Sequence, residues 1–253
     1  MSYLDRDGVN IYYEQHGAGP AVLLSHGYSA SARMWQAQME ALADSYHVIA
    51  WDMRGHDRSD SPDDRSLYSH EATIADMAAV LDACGAARAI IAGLSLGGFM
   101  SLAFHLAHPA RTEALMLFDT GPGYKKDDGR EGWNRLADSM AAAYEKKGLA
   151  AAGVSAEVSV ARHRSAQGLA HAARGMLAQR DGRVIESLPA IAVPTLVLVG
   201  ENDQQFRPSA DYMAAKIPGA EKVILDRAGH AANIDQPGAF NLAVRAFLDR
   251  VTA

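Results

Sequence analysis

The stretch "AIIAGLSLGGFMSLAFHLAHP" (residues 89–109) decides the fold. Its first six residues are an apolar run short enough for a buried strand, and the apolar residues from Leu96 onward follow a helical pattern. A single small polar residue, Ser95, stands at the junction, flanked at two residues' distance by Gly93 and Gly97. A tight turn alone accounts for the glycines. A sharp strand-to-helix turn that lifts Ser95 clear of a sheet accounts for the whole pattern Gly93-Leu94-Ser95-Leu96-Gly97, because such a turn leaves no room for side chains on either side of the serine.

Working outward, short apolar runs alternate with longer helical patterns, as in a sheet covered by helices on both faces. Strands are predicted at 9–15, 21–25, 47–52, 89–94, 114–119, 195–200 and 222–226, and helices near 31–43, 70–84, 96–107, 209–216 and 237–250. The turn "GAGP" (17–20) reads as joining the first two strands in antiparallel fashion. The unbroken Val/Ile/Leu content of the later strands suits a parallel sheet buried on both sides. Between residues 122 and 188 the rhythm changes to a polar Gly-rich stretch and then an Ala-rich helical pattern. This predicts a core domain of residues 1–121 and 189–253 with a helical cap, 122–188, inserted between them.

Composition narrows the function classes. The chain of 253 residues carries 24 Lys and Arg against 30 Asp and Glu, a net charge of −6, and its basic residues are scattered, which argues against nucleic acid as a partner. The longest apolar runs fall well short of a membrane span, and the first residues lack the pattern of a secretion signal. With Cys84 as the sole cysteine no intrachain disulfide can form, and the simplest expectation is a cytoplasmic protein.

A serine hydroxyl attacks only when a base takes its proton. Among ten histidines, His230 stands in "ILDRAGHAANIDQP", directly after the last predicted strand, and is the best-placed base. His70-Glu71 begins like a zinc-binding H-E-x-x-H, but Ile74 replaces the second histidine. Asp203, in "LVLVGENDQQF", follows the preceding strand and suits the third group, which orients the imidazole; Asp119 follows an earlier strand and is its rival. The backbone N–H of Leu96, at the start of a helix, and that of Tyr28, after Gly27 in "LLSHGYSA", suit an oxyanion hole, with His26 bracing the loop. The segment "DMRGHDRSD" (52–60) reads as a braced turn of the scaffold.

These motifs carry a family likeness. From about residue 9 to 250 the chain resembles the α/β-hydrolase superfamily, with "HGY" (26–28), "GLSLGG" (93–98), "GEND" (200–203) and "AGH" (228–230) in the family's order. Residues 52–60 resemble its D-x-R-G-x-G-x-S element, with Asp57 where a second glycine is common. The resemblance implies a mainly parallel eight-stranded sheet flanked by helices, a helical cap after the sixth strand, and no metal or organic cofactor. Serine at position 95 separates the chain from haloalkane dehalogenases and epoxide hydrolases, which use aspartate there. His26-Gly27-Tyr28-Ser29 separates it from lipases with an H-G-G-G loop.

Small bacterial esterases, enol-lactone hydrolases of the 3-oxoadipate type and C–C bond hydrolases of aromatic degradation are the most similar branches; cofactor-free haloperoxidases and perhydrolases share the Ser/Asp/His set. The expected activity is hydrolysis of a small ester or lactone. The C–C bond alternative needs a carboxylate anchor, for which the cap offers Arg130, Arg135, Arg162, Arg164 and Arg174. A non-catalytic ligand receptor is the third reading. The expected substrate pocket comprises His26, Gly27, Phe99, Trp133, Tyr144 and Phe206, with Met140, Met176 and Leu177 as further candidates.

Overall fold

The computed structural model describes residues 2–253. Eight strands form one sheet: β1 (Ser2–Arg6), β2 (Val9–His16), β3 (Ala21–Ser25), β4 (His47–Trp51), β5 (Ala89–Leu94), β6 (Thr112–Phe118), β7 (Thr195–Gly200) and β8 (Glu221–Leu225). Their order is β1-β2-β4-β3-β5-β6-β7-β8. β1 with β2, and β2 with β4, pair antiparallel; every other pairing is parallel. The mostly parallel eight-stranded architecture is the one the sequence resemblance implies.

Two strand expectations need correction. Residues 9–15 and 21–25 run in opposite directions, but they are not neighbours, because β4 lies between them. All five residues of β3 are buried, so it needs a partner on each side, whereas β2 ends in the more exposed Glu14, Gln15 and His16 and suits a place nearer the edge. The edge strand β1 was not predicted at all. Its half-exposed alternation contains a single aliphatic residue, Leu4, and its order comes from the ladder with β2.

Helices cover both faces. α1 (Gln36–Leu42), entered through a 3-10 turn at Ala32–Trp35, shares one face with the C-terminal α10 (Pro237–Val251). Against the other face lie α2 (His70–Ala83), α3 (Leu96–Ala107) and α8 (Arg207–Lys216). Alternation along β3 divides the core, with Val22 and Leu24 facing the first layer and Leu23 the second. In the first layer Trp35, Phe118 and Phe240 meet at ring separations of 4.8–6.3 Å. Truncating one such fully buried ring to alanine costs about 3–5 kcal/mol.

Helix ends follow local rules. The Ser69 side chain accepts from Ala72 N–H at the start of α2, and Pro237 opens α10, where a missing N–H costs nothing. Between β6 and β7 the chain is helical: α4 (Asp127–Lys147), α5 (Ala156–Ser159), α6 (Ala166–Ala172), a π-helical turn at Ala173–Leu177, and α7 (Arg183–Ser187). α4 carries acidic residues in its first turn and lysines in its last, matching the helix dipole. Ala141, Tyr144, Leu169, Ala170 and Ala173 form a small core of that segment's own. The short α9 (Ala232–Asp235) lies between β8 and α10. No helix among the described residues is long and apolar enough to cross a membrane.

The sheet order positions the site. From β3 the chain passes to β4 on one side and later returns to β5 on the other, so the direction of winding reverses between β3 and β5. At such a switch point the loops at the carboxyl ends of neighbouring strands diverge and leave a crevice. The two loops here are those holding Gly27-Tyr28 and Ser95.

Candidate active site

Ser95 sits between β5 and α3 with φ of 55° and ψ of −117°, a left-handed region that non-glycine residues rarely occupy. Its N–H donates to Phe118 O at 3.0 Å, and its carbonyl accepts from Phe99 N–H at 3.1 Å and Thr120 Oγ1 at 2.6 Å. Backbone bonds on both sides therefore hold the strained turn. A Cβ on Gly93 would collide with the backbone of Gly97, and one on Gly97 with the carbonyl of Ser25. The two glycines are thus required by the close approach of β5, α3 and the end of β3.

His230 follows β8, and its Nδ1 lies 2.7 Å from Asp203 Oδ2. Asp203 follows β7; its carboxylate is buried, and its Oδ1 accepts from Phe206 N–H at 3.2 Å. Phe206 also stacks on the His230 ring, with centroids 5.1 Å apart and planes 24° apart. Ser95 and Phe206 line the same cavity, which brings the serine and the histidine's surroundings together. Ser95 Oγ itself makes no hydrogen bond among the described residues. Such bonds are often long without substrate and tighten when it binds.

The rival carboxyl, Asp119, lies against Asp203 and makes no hydrogen bond to His230 among the described residues. Its Oδ1 accepts from Gly200 N–H at 2.8 Å. Burial pushes its pKa up to about 9 and the nearby Asp203 adds to that, while the Gly200 N–H works in the opposite sense. A carboxyl that is neutral at pH 7 cannot balance an imidazolium charge.

The loop after β3 is built on two buried, neutral histidines. His26 Nε2 accepts from Met53 N–H at 2.9 Å, so the ring proton lies on Nδ1 and is donated to Gly27 O at 2.7 Å. Burial drops the pKa of His26 to about 4. His56 accepts from Ser29 N–H at 3.2 Å and donates from Nδ1 to Arg54 O at 3.0 Å; burial holds it well below the usual histidine range. The N–H of Tyr28 meets no acceptor among the described residues, and that of Leu96, first in its helix, has none within the helix. Both donors are left free at the crevice.

The substituted glycine position is also resolved. Asp57 takes φ of 38°, and its carboxylate accepts from Arg33 Nε at 2.8 Å and from Arg162 N–H at 3.0 Å. Its own N–H donates to His163 Nδ1 at 3.1 Å, leaving His163 Nε2–H to donate to Ser29 O at 2.8 Å. Arg164 donates to the carbonyls of Asp57 and Arg58 at 2.8 and 2.6 Å. Residues 162–164 are thereby fastened to the loop that carries Tyr28. Arg54, in the same turn, forms a buried bidentate pair with Asp76 at 2.6 and 2.8 Å.

The cavity beside Ser95 is small, about 50 Å³, and partly open to solvent. Of the expected pocket residues, Phe99, Trp133 and Phe206 line it, as does Leu177. Three do not. His26 is fully buried beneath the loop, Gly27 packs behind Ser95, and the Tyr144 hydroxyl is engaged with Ser29 Oγ at 2.8 Å inside the helical segment's own core. Of the further candidates, Met176 is buried and Met140 faces outward.

Sequence reasoning missed Thr120, Gly121, Gly123, Tyr124, Gln179 and Ser209 as lining residues. Thr120 and Gly121 follow the end of β6, where the carboxyl-end rule would have found them. Gln179 and Ser209 carry no sequence signal. None of the five arginines considered as carboxylate anchors reaches the cavity. Arg130 donates to the carbonyls of Tyr124 and Lys125, and Arg174 pairs with Asp138 and Glu145. Arg135 lies beside Glu131, and Arg162 and Arg164 serve the Asp57 turn. No group of three or more His, Cys, Asp or Glu among the described residues is placed to hold a metal ion.

Comparison with known proteins identifies the family. The family model described as "Alpha/beta hydrolase family" matches residues 22–243. A protein of Azorhizobium caulinodans named "Putative carbamate hydrolase RutD" is 31% identical, with 99% of each chain covered. "3-oxoadipate enol-lactonase 1" of Acinetobacter baylyi is 28% identical over 93% of this chain and 92% of its own. Among solved structures, a thermophilic esterase from Thermogutta terrifontis superposes over 100% of both chains with a TM-score of 0.85 at 28% identity. A strand-to-helix serine turn at the switch point of a mostly parallel sheet, matched along nearly the whole chain, places this protein in the alpha/beta hydrolase family.

Proposed function

We propose that the protein is a serine hydrolase of small carboxylic esters or lactones, with Ser95 as nucleophile, His230 as base and Asp203 as the group orienting the base. The observation that carries this reading is the 2.7 Å contact of His230 Nδ1 with buried Asp203, beside a serine held at φ 55°. Asp203 fixes the ring proton on Nδ1 and leaves Nε2 as the acceptor for the Ser95 proton. Ser95 Oγ bonds to the substrate carbonyl carbon, and the carbonyl electron pair moves onto oxygen, where the Tyr28 and Leu96 N–H groups face it. The intermediate collapses with cleavage of the C–O bond, and the leaving alkoxide takes the proton from His230. Water then gives a proton to His230, attacks the acyl-enzyme and releases the acid, returning the proton to Ser95.

The esterase and enol-lactonase among the relatives support an ester or lactone as substrate. The helical segment 122–188 acts in this reading as a cap that shapes the cavity, and a small acyl group fits its size. The test is a series of chromogenic esters from acetyl to octanoyl, with Ser95→Ala as control. Turnover that falls by several orders of magnitude in the variant supports the assignment. A Ser95→Ala protein that keeps a tenth of wild-type kcat would refute it.

A further inference from the structure

Gln179 is buried, 7% exposed, and lines the cavity beside Ser95. Its backbone is clamped to the side chain of Asn134: Gln179 N–H donates to Asn134 Oδ1, and Asn134 Nδ2 donates to Gln179 O, both at 2.7 Å. Its carboxamide is oriented as well. Tyr124 N–H lies 3.1 Å from the amide end of Gln179 and can only donate, so the atom facing it must be the oxygen, Oε1. Gly123, at φ 86°, makes room for this contact, since a Cβ there would fall 2.8 Å from Oε1. With Oε1 committed, Nε2 is the remaining face of the amide, and it donates to no group among the described residues.

An amide N–H with no protein partner is left to water, and a ligand that displaces that water without offering an acceptor loses the hydrogen bond. No lining residue of this cavity carries a charge, so an anionic partner would enter without a counter-charge. The complement is a neutral acceptor, and the commonest one on a small ester or lactone is a second carbonyl.

We infer that Gln179 is a specificity-determining residue, whose Nε2–H donates to a carbonyl oxygen of the substrate remote from the scissile bond. The substrate class is then an oxo-substituted ester or lactone. The inference rests on the reading of Ser95 as nucleophile for its catalytic consequence, though not for binding.

The test compares matched pairs: hexanoyl esters against their 3-, 4- and 5-oxo counterparts on the acyl side, and butyl against 3-oxobutyl esters on the alcohol side. One good neutral hydrogen bond to a buried donor is worth about fivefold to tenfold. Wild type should prefer at least one oxo member by that factor in kcat/KM, and Gln179→Met should bring the ratio to near one. Gln179→Glu supplies a readout that lost packing cannot imitate. It keeps an oxygen for Tyr124 N–H, and its second oxygen donates only while protonated. The oxo preference should therefore fall with rising pH in that variant and stay level in wild type.

Absence of preference in every wild-type pair, or a preference that survives in Gln179→Met, overturns the inference. The same pairs are titrated into Ser95→Ala protein to read the preference as a ratio of Kd. Preference in binding without wild-type turnover sinks the nucleophile reading and upholds Gln179. Turnover without preference in either readout does the opposite.

Discussion

Replacing Asp203 by asparagine exchanges one oxygen for an NH2 group and reverses the polarity of one hydrogen bond. Phe206 N–H sits 3.2 Å from Oδ1 and His230 Nδ1 2.7 Å from Oδ2. The asparagine must present its single oxygen to one of them. Facing it to Phe206 leaves the NH2 against the imidazole, which must then carry its proton on Nε2, where it cannot accept the Ser95 proton. Facing it to His230 opposes two donors at Phe206, a buried mismatch worth about 1–3 kcal/mol. In either orientation the imidazolium that the proposed mechanism forms during attack loses a charge-assisted bond worth about 1.5–3 kcal/mol. Together these raise the barrier by about 2.5–6 kcal/mol, a fall in kcat of roughly a hundredfold to ten-thousandfold. KM should change little, because Asp203 does not line the cavity. Steady-state kinetics on a chromogenic butanoyl ester reads both constants, with Asp119→Asn as the control. The reasoning is refuted if Asp203→Asn keeps kcat within tenfold of wild type, or if Asp119→Asn proves the more damaging change.

Three further outcomes concern stability. Asp119 has a folded-state pKa raised from 3.8 to about 9, so its contribution to folding is greatest below pH 3.8 and is lost progressively as pH rises toward 9. Asp119→Asn, which does not titrate, should gain stability relative to wild type as pH rises from 5 to 8.5 in urea unfolding; parallel curves would contradict this. His26 is depressed from 6.5 to about 4, so its contribution is complete above pH 6.5 and is lost as pH falls toward 4. Unfolding free energy should drop by about 1.6 kcal/mol for this group between pH 6.5 and 5, since the slope starts at half of 1.36 kcal/mol per pH unit and approaches it as pH falls. A flat profile over that interval would count against a buried neutral ring. Asp76→Ala leaves the 5%-exposed Arg54 without its partner and should cost about 3–5 kcal/mol, measured by denaturant midpoint; a loss below 1 kcal/mol would show that the pair is solvated.

Much of the framework was legible because short-range pattern and long-range packing coincide there. β3, β5 and β7 are buried along their whole length, and a run of Val, Ile, Leu and Ala betrays that without reference to any neighbour. Ser95 was legible for a similar reason, since the steric demand of its turn is written into Gly93 and Gly97. The pairing of strands was less so. Nothing local in residues 9–25 reveals that β4, arriving some 20 residues later, will slot between β2 and β3.

The cavity wall was hardest to read. Tyr144 and Trp133 are both aromatic residues on α4, yet Tyr144 turns into the segment's own core and Trp133 into the cavity, where its Nε1–H donates to Leu177 O at 2.8 Å. The facing helices decide that difference, and residue type does not. Gln179 is similar: one of two glutamines in an Ala-rich stretch, it acquires meaning only when Tyr124 and Asn134 fold against it.

The Asp57 turn has a bearing on how the crevice keeps its shape. Arg162, His163 and Arg164 make five hydrogen bonds to two neighbouring loops, four to the main chain of Ser29, Asp57 and Arg58 and one to the Asp57 carboxylate. A hinge cannot operate along a seam stitched so densely, and any swing there would drag Ser29, and Tyr28 beside it, out of register. Tyr124, by contrast, stands 43% exposed among the residues lining the cavity. The seam therefore holds Ser29, and with it the free N–H of Tyr28, in a fixed place beside Ser95.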